Sequence, residues 1–418
     1  MQIIYVSTSC SQEMYKKIFK MRNKKLIDPS QKFFEQLIRG TSLLRQKFGQ
    51  KIDVVSISAL PVSASTTNIK KFLRVEEYVN GVRYIYPSFY NGKFLRYITT
   101  YISIFLETRK IINSEVNKED KVVICDPLYH HVSAAARMAA KLYRVKTIAI
   151  VTDIPVYSTK MKGYKYTSLR QMFQDWYERT AMKEIVKYDG YVNLTESMNP
   201  IVNPKNKPSI IVEGSVDIEA ISKTHELYSN SKKVIVYAGG VYEKYGVKCL
   251  VNAFIKAQIK DTELHIYGEG SYVDELVQVC SKHENVKYMG CILNTDLPKI
   301  ESQATLLVNP RFSNEEYTKF SFPSKTLEYM SSGTPVLSTR LAGIPKDYNN
   351  YLYWFDIETE DGMAAKLSEI MGKSKNELQC FGKKAQKYVI ENKSNILQAG
   401  RIFSFAKDIA KSTKRRMI

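Results

Sequence analysis

At 418 residues the chain is long for a single core, so two α/β domains of about 200 residues each are expected. A hydrophobic content of 44% beside 25% charged residues excludes a disordered or fibrous chain. The net charge of +20 calls for a negatively charged partner, and nucleic acid, an anionic membrane face and phosphorylated substrates all qualify by charge alone.

In chain order, the first apolar run, residues 2–7, has no basic stretch ahead of it and reads as a strand, not as a signal peptide. A dense basic segment follows, with Lys16, Lys17, Lys20, Arg22, Lys24 and Lys25 set among apolar residues. Further strands are expected at 53–58, 82–86, 121–125, 146–152 and 190–194, and helices at 30–48, 93–113, 132–142 and 168–187. Strands alternating with helices mean βαβ units and a mostly parallel sheet. The most apolar long stretch, 94–112, is broken by Arg96, Thr99, Thr100, Glu107, Arg109 and Lys110, so no membrane-spanning helix is expected.

The polar stretch 203–208, with Pro204 and Pro208, reads as an inter-domain linker. The alternation then restarts: strands at 233–238, 263–267, 286–288, 306–309 and 336–338, helices at 247–257, 273–282 and 325–332. The chain therefore divides into 1–205, 206–395 and a C-terminal helix with a basic tail, 396–418, packing back toward the first domain. The six cysteines, Cys10, Cys125, Cys249, Cys280, Cys291 and Cys380, never come in Cys-x-x-Cys spacing. That argues against a zinc site or a disulfide framework and for reduced thiols inside the cell.

In doubly wound sheets ligands bind where strands end and helices begin. The most informative such place is 309–345. There a strand ends at Asn309, and a helix opens on Pro323, Ser324 and Lys325, where exposed N–H groups and a cation suit an anion. Glu328 lies one turn on, able to accept hydrogen bonds from hydroxyls; a solvated helix pair is the rival reading of Lys325 and Glu328. Gly333 closes the helix, and Pro335 leads into the next strand. Two glycine loops, Gly239-Gly240 and Gly268-Glu269-Gly270, follow strands and either approach a ligand or serve as turns; neither matches a dinucleotide or Walker pattern.

The order of these signals over about 210–348 resembles the C-terminal domain of family-4 retaining glycosyltransferases of the GT-B fold. The resemblance rests on Gly239-Gly240, Tyr245-Gly246-Val247, Ala253-Phe254, Ile266-Tyr267-Gly268-Glu269-Gly270, Gly290, Asn309-Pro310 and Glu328-Tyr329-Met330-Ser331-Ser332-Gly333-Thr334-Pro335-Val336. The segment Ile211-Val212-Glu213-Gly214-Ser215-Val216-Asp217 is similar to the family's hinge. It implies two Rossmann-like domains facing across a cleft, with 206–395 binding the nucleotide-sugar donor and 1–205 the acceptor. Glu328 would hold the ribose hydroxyls, the loop of Gly290, Cys291 and Ile292 the base, and the helix end at Ser324 and Lys325 the diphosphate. Gly343 matches a family loop and is assigned only a turn.

The chain also departs from the family pattern. Phe320 stands where the family has the first glutamate of its Glu-x7-Glu pair, and the arginine and lysine of the glycine loop are replaced by Gly240 or Val241 and by Tyr245, with Lys244 displaced by one. Arg311, Lys325 and Lys244 are the candidate replacements for that diphosphate clamp. The N-terminal half resembles the family less closely, since residues 7–11 lack its glycine pair. Asp153, at the end of a strand, either handles the acceptor hydroxyl or caps the following turn, and Asp126 and His130 are further candidates. Asp153 and Lys325 are the candidate catalytic groups, unless the departing phosphate itself takes the proton. No Asp-x-Asp motif is present, so the resemblance implies transfer without metal or other cofactor.

The expected activity is transfer of a hexose from a nucleotide-sugar, UDP-linked by preference, to a lipid-linked oligosaccharide in surface-polysaccharide synthesis. The basic segment 16–25, aromatic residues at 86–101 and the basic tail at 407–416 fit an anionic membrane surface, which places the protein on the inner face of the plasma membrane. Other readings are a non-catalytic subunit of the same fold, a nucleotide-sugar epimerase and a nucleic-acid-binding protein. No nucleic-acid motif is present, and none is expected as partner.

Overall fold

The computed structural model describes residues 1–22, 29–114, 120–155, 168–221, 232–292 and 296–411. They form two units: Met1–Ser215 joined by the helix that begins at Asn395, and Val216–Ser394.

The first unit is built on β1 (Gln2–Ser7), α1 (Gln12–Met21), α2 (Pro29–Phe48), β2 (Asp53–Ser58), β3 (Lys71–Phe72), β4 (Val75–Val79), β5 (Val82–Tyr86), β6 (Phe89–Tyr90), α3 (Leu95–Ile112), β7 (Lys121–Cys125), α4 (His130–Leu142), β8 (Lys146–Val151), α5 (Ser168–Ile185), β9 (Gly190–Asn193) and β10 (Ser209–Ile211). Its main sheet runs β10-β9-β8-β7-β1-β2-β5-β4, parallel throughout except for the edge strand β4. β1 and β7 are buried at every position, as continuous apolar runs covered on both faces must be. Lys121 opens β7 from inside the fold, its ammonium donating to the carbonyls of Ile111 (2.9 Å), Ile112 (2.8 Å) and Ser114 (3.1 Å). A cation on the last carbonyls of α3 satisfies groups that the helix itself leaves unpaired.

Residues 203–208 are a turn within this unit, not a linker. The amide of Asn203 accepts from the N–H of Lys207 (2.9 Å) and donates to its carbonyl (2.8 Å), and the chain then adds β10 beside β9. The turn chemistry of one asparagine makes the same polar, proline-bearing sequence that a linker would have.

The second unit contains β11 (Lys233–Ala238), α6 (Val247–Ala257), β12 (Thr262–Tyr267), α7 (Val273–Lys282), β13 (Val286–Tyr288), α8 (Leu297–Gln303), β14 (Leu306–Asn309), α9 (Ser324–Ser331), β15 (Val336–Thr339), β16 (Tyr353–Phe355), α10 (Glu360–Met371) and α11 (Lys375–Lys393). Its all-parallel sheet has the order β13-β12-β11-β14-β15-β16. The order reverses between β11 and β14, and the first sheet reverses likewise between β1 and β7; these are the switch points where doubly wound sheets open their loops to ligands. Gly333 ends α9 in the left-handed conformation (φ 79°), and Gly382 of α11 lies so close that a Cβ there would stand 2.1 Å from the Gly333 carbonyl oxygen.

The last helix, α12 (Asn395–Lys411), returns to the first unit and packs along α2. Its entry is set by Gly40, where a Cβ would lie 2.2 Å from the carbonyl oxygen of the buried Asn395. Gly40→Ala is expected to push α12 off α2 and to lower stability by about 1–3 kcal/mol in urea unfolding; a variant as stable as wild type would mean that α12 does not fix the packing.

Candidate functional site

The loops at the switch point of the second sheet are sewn to one another by backbone. Gly239 N–H donates to Tyr267 O (2.9 Å), Val241 N–H to Glu269 O (2.8 Å), Tyr272 N–H to Val241 O (3.1 Å) and Gly268 N–H to Gly290 O (2.9 Å). Gly268 combines φ of +129° with a position where a Cβ would fall 1.7 Å from Gly239 O, so no other residue fits. Gly246, which precedes α6, likewise takes φ of +74° and abuts Pro310 O. These glycines bring backbone against backbone, across the ends of β11, β12 and β14.

Around that scaffold the cations gather on tyrosine rings. The Arg311 guanidinium, just past β14, stands 4.6 Å from the Tyr245 ring centroid and 5.8 Å from that of Tyr317. The Lys244 ammonium lies 5.5 Å from Tyr245 and 5.7 Å from Tyr242. Tyr245 thus collects one cation from the β11 loop and one from the β14 loop. Arg311 Nε, Asn309 Nδ2 and Tyr317 Oη are buried without a hydrogen-bond partner among the described residues. Burial pushes the Tyr317 phenol up to about 12, so it stays a neutral donor. Unmet polar atoms concentrated at one strand end mark a place for a polar ligand.

The helix α9 completes the arrangement. Pro323 sits at its N-cap and provides no side-chain cap. Lys325 turns back so that its ammonium donates to Ala238 O at the end of β11, with its Cε 3.3 Å from the point a Gly239 Cβ would occupy. Tyr329, one turn on and fully buried, accepts from Ala238 N–H (2.9 Å) and donates to Ala238 O (3.2 Å). Glu328 is half-buried, Ser324 is exposed at the helix start, and Gly240 is covered by the rings of Tyr242 and Tyr245. Gly290 turns the neighbouring loop (φ 71°), in which Ile292 is half-buried. Phe320 closes a short 3-10 turn ahead of α9. Gly343 is more than a turn: a Cβ there would lie 2.2 Å from Ser321 O and 2.7 Å from Thr318 O, so it seats the segment that leads into α9.

The structure therefore brings Gly239, Gly240, Lys244, Arg311 and Lys325 to adjoining strand ends of one sheet. Sequence reasoning missed Tyr245 and Tyr317 as cation platforms and Tyr329 as the clasp on β11; three tyrosines scattered over separate segments give no pattern of their own.

In the first unit, Asp153 accepts the N–H of Ile154 (2.8 Å). Asp126 is buried and accepts the N–H of Leu128 (3.0 Å). His130 and His131 open α4 among the rings of α3 and α5: His130 to Tyr177 is 4.0 Å between centroids, His131 to Tyr97 is 4.9 Å, and Tyr177 Oη is 3.4 Å from His131 Nδ1. Burial, with the nearby Arg96 and His130, pushes His131 down to about 3, and burial also lowers His130. Lys16, Lys17 and Lys20 are exposed on α1, while Met14 and Ile18 face inward and Arg22 caps the helix end, half-buried. Lys24, Lys25 and residues 414–416 lie outside the described residues. Among the described residues no three His, Cys, Asp or Glu side chains are grouped to hold a metal ion, and no helix is long and apolar enough to cross a membrane.

Residues 232–373 match the family model of glycosyl transferases group 1, within the second unit. No curated protein matches the chain. Among solved structures, the sucrose-phosphate synthase of Thermosynechococcus elongatus superposes with a TM-score of 0.66 at 13% identity, covering 99% of this chain and 100% of that one. The trehalose-6-phosphate synthase of E. coli bound with UDP-2-fluoro glucose gives 0.65 at 10% identity over 97% and 99%. HepE of Anabaena in complex with UDP gives 0.60 at 12% over 98% and 100%. These likenesses establish the GT-B fold, with its two Rossmann-like domains, along the chain.

Two outcomes test the geometry. Gly268→Ala should cost about 3 kcal/mol in urea unfolding, because it meets both the left-handed backbone and the Gly239 carbonyl. The histidine cluster sets a pH dependence of its own. The folded values of His130 and His131 lie below the ordinary 6.5, so the unfolded chain takes up protons first. Their contribution is complete above about 6.5 and is lost as the pH falls toward about 3. Thermal melts should fall with pH over that window, and His131→Gln should flatten the slope; an unchanged slope would place the acid sensitivity elsewhere.

Proposed function

We propose that this glycosyltransferase, a group 1 domain carried on the GT-B fold, moves a hexose from a UDP-sugar to a lipid-linked oligosaccharide, with retention of anomeric configuration. The observation that carries the reading is the convergence of Arg311, Lys244 and Lys325 on the glycine-lined strand ends of the matched domain. Three cations and the uncapped start of α9 suit a diphosphate, which carries negative charge in the ground state and gains more as its bond to the sugar breaks. Three neighbouring structures are complexes with UDP, UDP-glucose and UDP-2-fluoro glucose, which supports a uridine nucleotide here.

In the transfer, the bond from the anomeric carbon to the diphosphate oxygen breaks, and a bond to the acceptor hydroxyl oxygen forms on the same face. The hydroxyl proton goes to the departing phosphate, so neither Asp153 nor another protein base is needed. Arg311 and Lys325 stabilise the leaving diphosphate, Glu328 takes the ribose hydroxyls, and the loop of Gly290 and Ile292 lines the base. No metal enters this scheme, because side-chain cations do the neutralising. The acceptor belongs to surface-polysaccharide synthesis at the inner face of a plasma membrane, which fits the net charge of +20.

Calorimetry with UDP, GDP, dTDP and ADP tests the donor site. UDP should bind, and Glu328→Ala should weaken it about tenfold, the loss of a charge-assisted hydrogen-bond pair. Arg311→Ala should lower turnover by about two to three powers of ten, on the order of one oxyanion-type donor. Binding of none of the four by wild type would remove the donor reading and leave a non-catalytic protein of this fold.

A further inference from the structure

The helices of the first unit turn an unusual set of residues outward. α3 buries Thr100, Ile104, Thr108, Ile111 and Ile112, yet its opposite side carries a second apolar stripe. Leu95 is 50% exposed, Ile98 58%, Ile102 50% and Leu106 51%, at the spacing of one helix face. Arg109 and Lys110 then end the helix, both exposed. On α5 the pattern repeats in shorter form: Met172, Phe173 and Trp176 are exposed, followed by Arg179 and Lys183. The helices meet through Phe94 and Phe173, packed edge to face at 6.1 Å, and Phe173 adjoins Trp176 at 5.7 Å.

No carboxylate is exposed on either helix among their described side chains. Glu107 pairs with Arg74, Glu184 with Arg137, and Asp175 and Glu178 accept from Gln171 and Gln174. Arg96, set by Tyr97, Tyr129 and Tyr177 with Arg22 nearby, forms no ion pair among the described residues, and burial lowers its pKa. An aliphatic stripe exposed to water is unfavourable, and a border whose fully exposed charges are all cationic selects what covers it. A second copy of the chain would set +20 against +20. Nucleic acid would use the cations and leave the aliphatic stripe wet.

We infer that this α3–α5 face is laid on the interfacial layer of an anionic phospholipid bilayer. Leu95, Ile98, Ile102, Leu106 and Trp176 enter the boundary between headgroups and acyl chains, Arg109, Lys110, Arg179 and Lys183 meet headgroup phosphates, and Arg96 holds one phosphate closer in. The inference rests on the membrane-borne acceptor proposed above and specifies the surface that reaches it. The first unit thereby holds its acceptor half against the layer in which a lipid-linked substrate is dissolved.

The full chain is tested by co-sedimentation with phosphatidylcholine vesicles and with vesicles that also contain phosphatidylglycerol, at low and high salt. Only the anionic vesicles should bind, with binding weakened by salt. The double variant Ile98→Glu/Ile102→Glu should bind them at least about tenfold more weakly while keeping the wild-type melting temperature and UDP affinity, since both side chains are exposed and neither belongs to the donor site. Arg96→Gln should weaken the anionic preference. With Trp354→Phe, Trp176 is the sole tryptophan and should shift its emission to the blue on the vesicles. Unchanged vesicle binding by the double variant, or no shift of Trp176, overturns the inference. So does a wild-type dimer that the double variant disperses, which would give the face to a second copy. Vesicle binding through this face without any UDP binding would sustain the surface and reject the donor reading alone.

Discussion

Ala238 is the residue on which the second unit turns. It ends β11 at the switch point, and both of its backbone polar groups are taken by side chains of α9: its N–H by Tyr329 Oη, its carbonyl by Tyr329 Oη and the Lys325 ammonium. A buried backbone group left unpaired costs about 1–3 kcal/mol, so this clasp decides where α9 begins relative to the sheet. Once α9 is fixed, Lys325 lies near Gly239, where the Tyr237 phenol oxygen, 2.7 Å from the point a Cβ would occupy, crowds out a side chain. The β12 loop must then pass within contact of Gly239 O, which admits only Gly268. The position of Lys325 follows from one short stretch of main chain.

Two of the cations, Arg311 and Lys244, are set against aromatic rings. Arg311 and Lys244 come from different strand ends, and Tyr245 is the side chain common to both. A carboxylate would hold them more tightly but would neutralise the charge that a diphosphate needs. A ring contributes about 0.5–2 kcal/mol to each cation and leaves the full positive charge available. This accounts for a sequence in which the glycine-loop cations of the resembled family are missing from their usual positions. Charge is restored in space by a lysine displaced by one residue and by an arginine from another strand.

What could be read in the sequence divides along the same physical line. β1, β7, β11 and β14 were legible because strands buried on both faces are runs of apolar residues. The helix at 324–331 was legible from its proline, its terminal glycine and the spacing of Lys325 and Glu328. The edge strand β4, with no buried position and two glutamates, has no such run and escaped notice. So did α1, whose lysines drew attention to charge and away from the buried Met14 and Ile18. The glycines were correctly singled out, but at Gly246, Gly268 and Gly343 the backbone they accommodate is the protein's own. Close approach by a loop and close approach by a ligand leave the same mark on a sequence. The stretch 203–208 shows the same degeneracy, since Asn203 makes a closed turn from residues that would also suit an open linker.

The net charge of +20 comes from 62 lysines and arginines against 42 aspartates and glutamates, and several of those carboxylates in the first unit are held in ion pairs. Glu76 accepts from Arg74 and Arg83, Glu107 from Arg74, and Glu184 from Arg137, each carboxylate drawn into an ion pair with one or more arginines. The helices of the first unit also present exposed cations to water, among them Lys16, Lys17 and Lys20 of α1 and Arg109 and Lys110 of α3. Behind them the histidines of α4 carry no charge, because burial among Tyr97 and Tyr177 and the neighbouring Arg96 disfavour their protonation. The first unit thus keeps its cations fixed and outward across the physiological range, with a neutral aromatic layer beneath. A surface built this way holds its charge when the surrounding pH drifts, as it does close to an anionic interface, where protons are concentrated by the same field that attracts lysine and arginine.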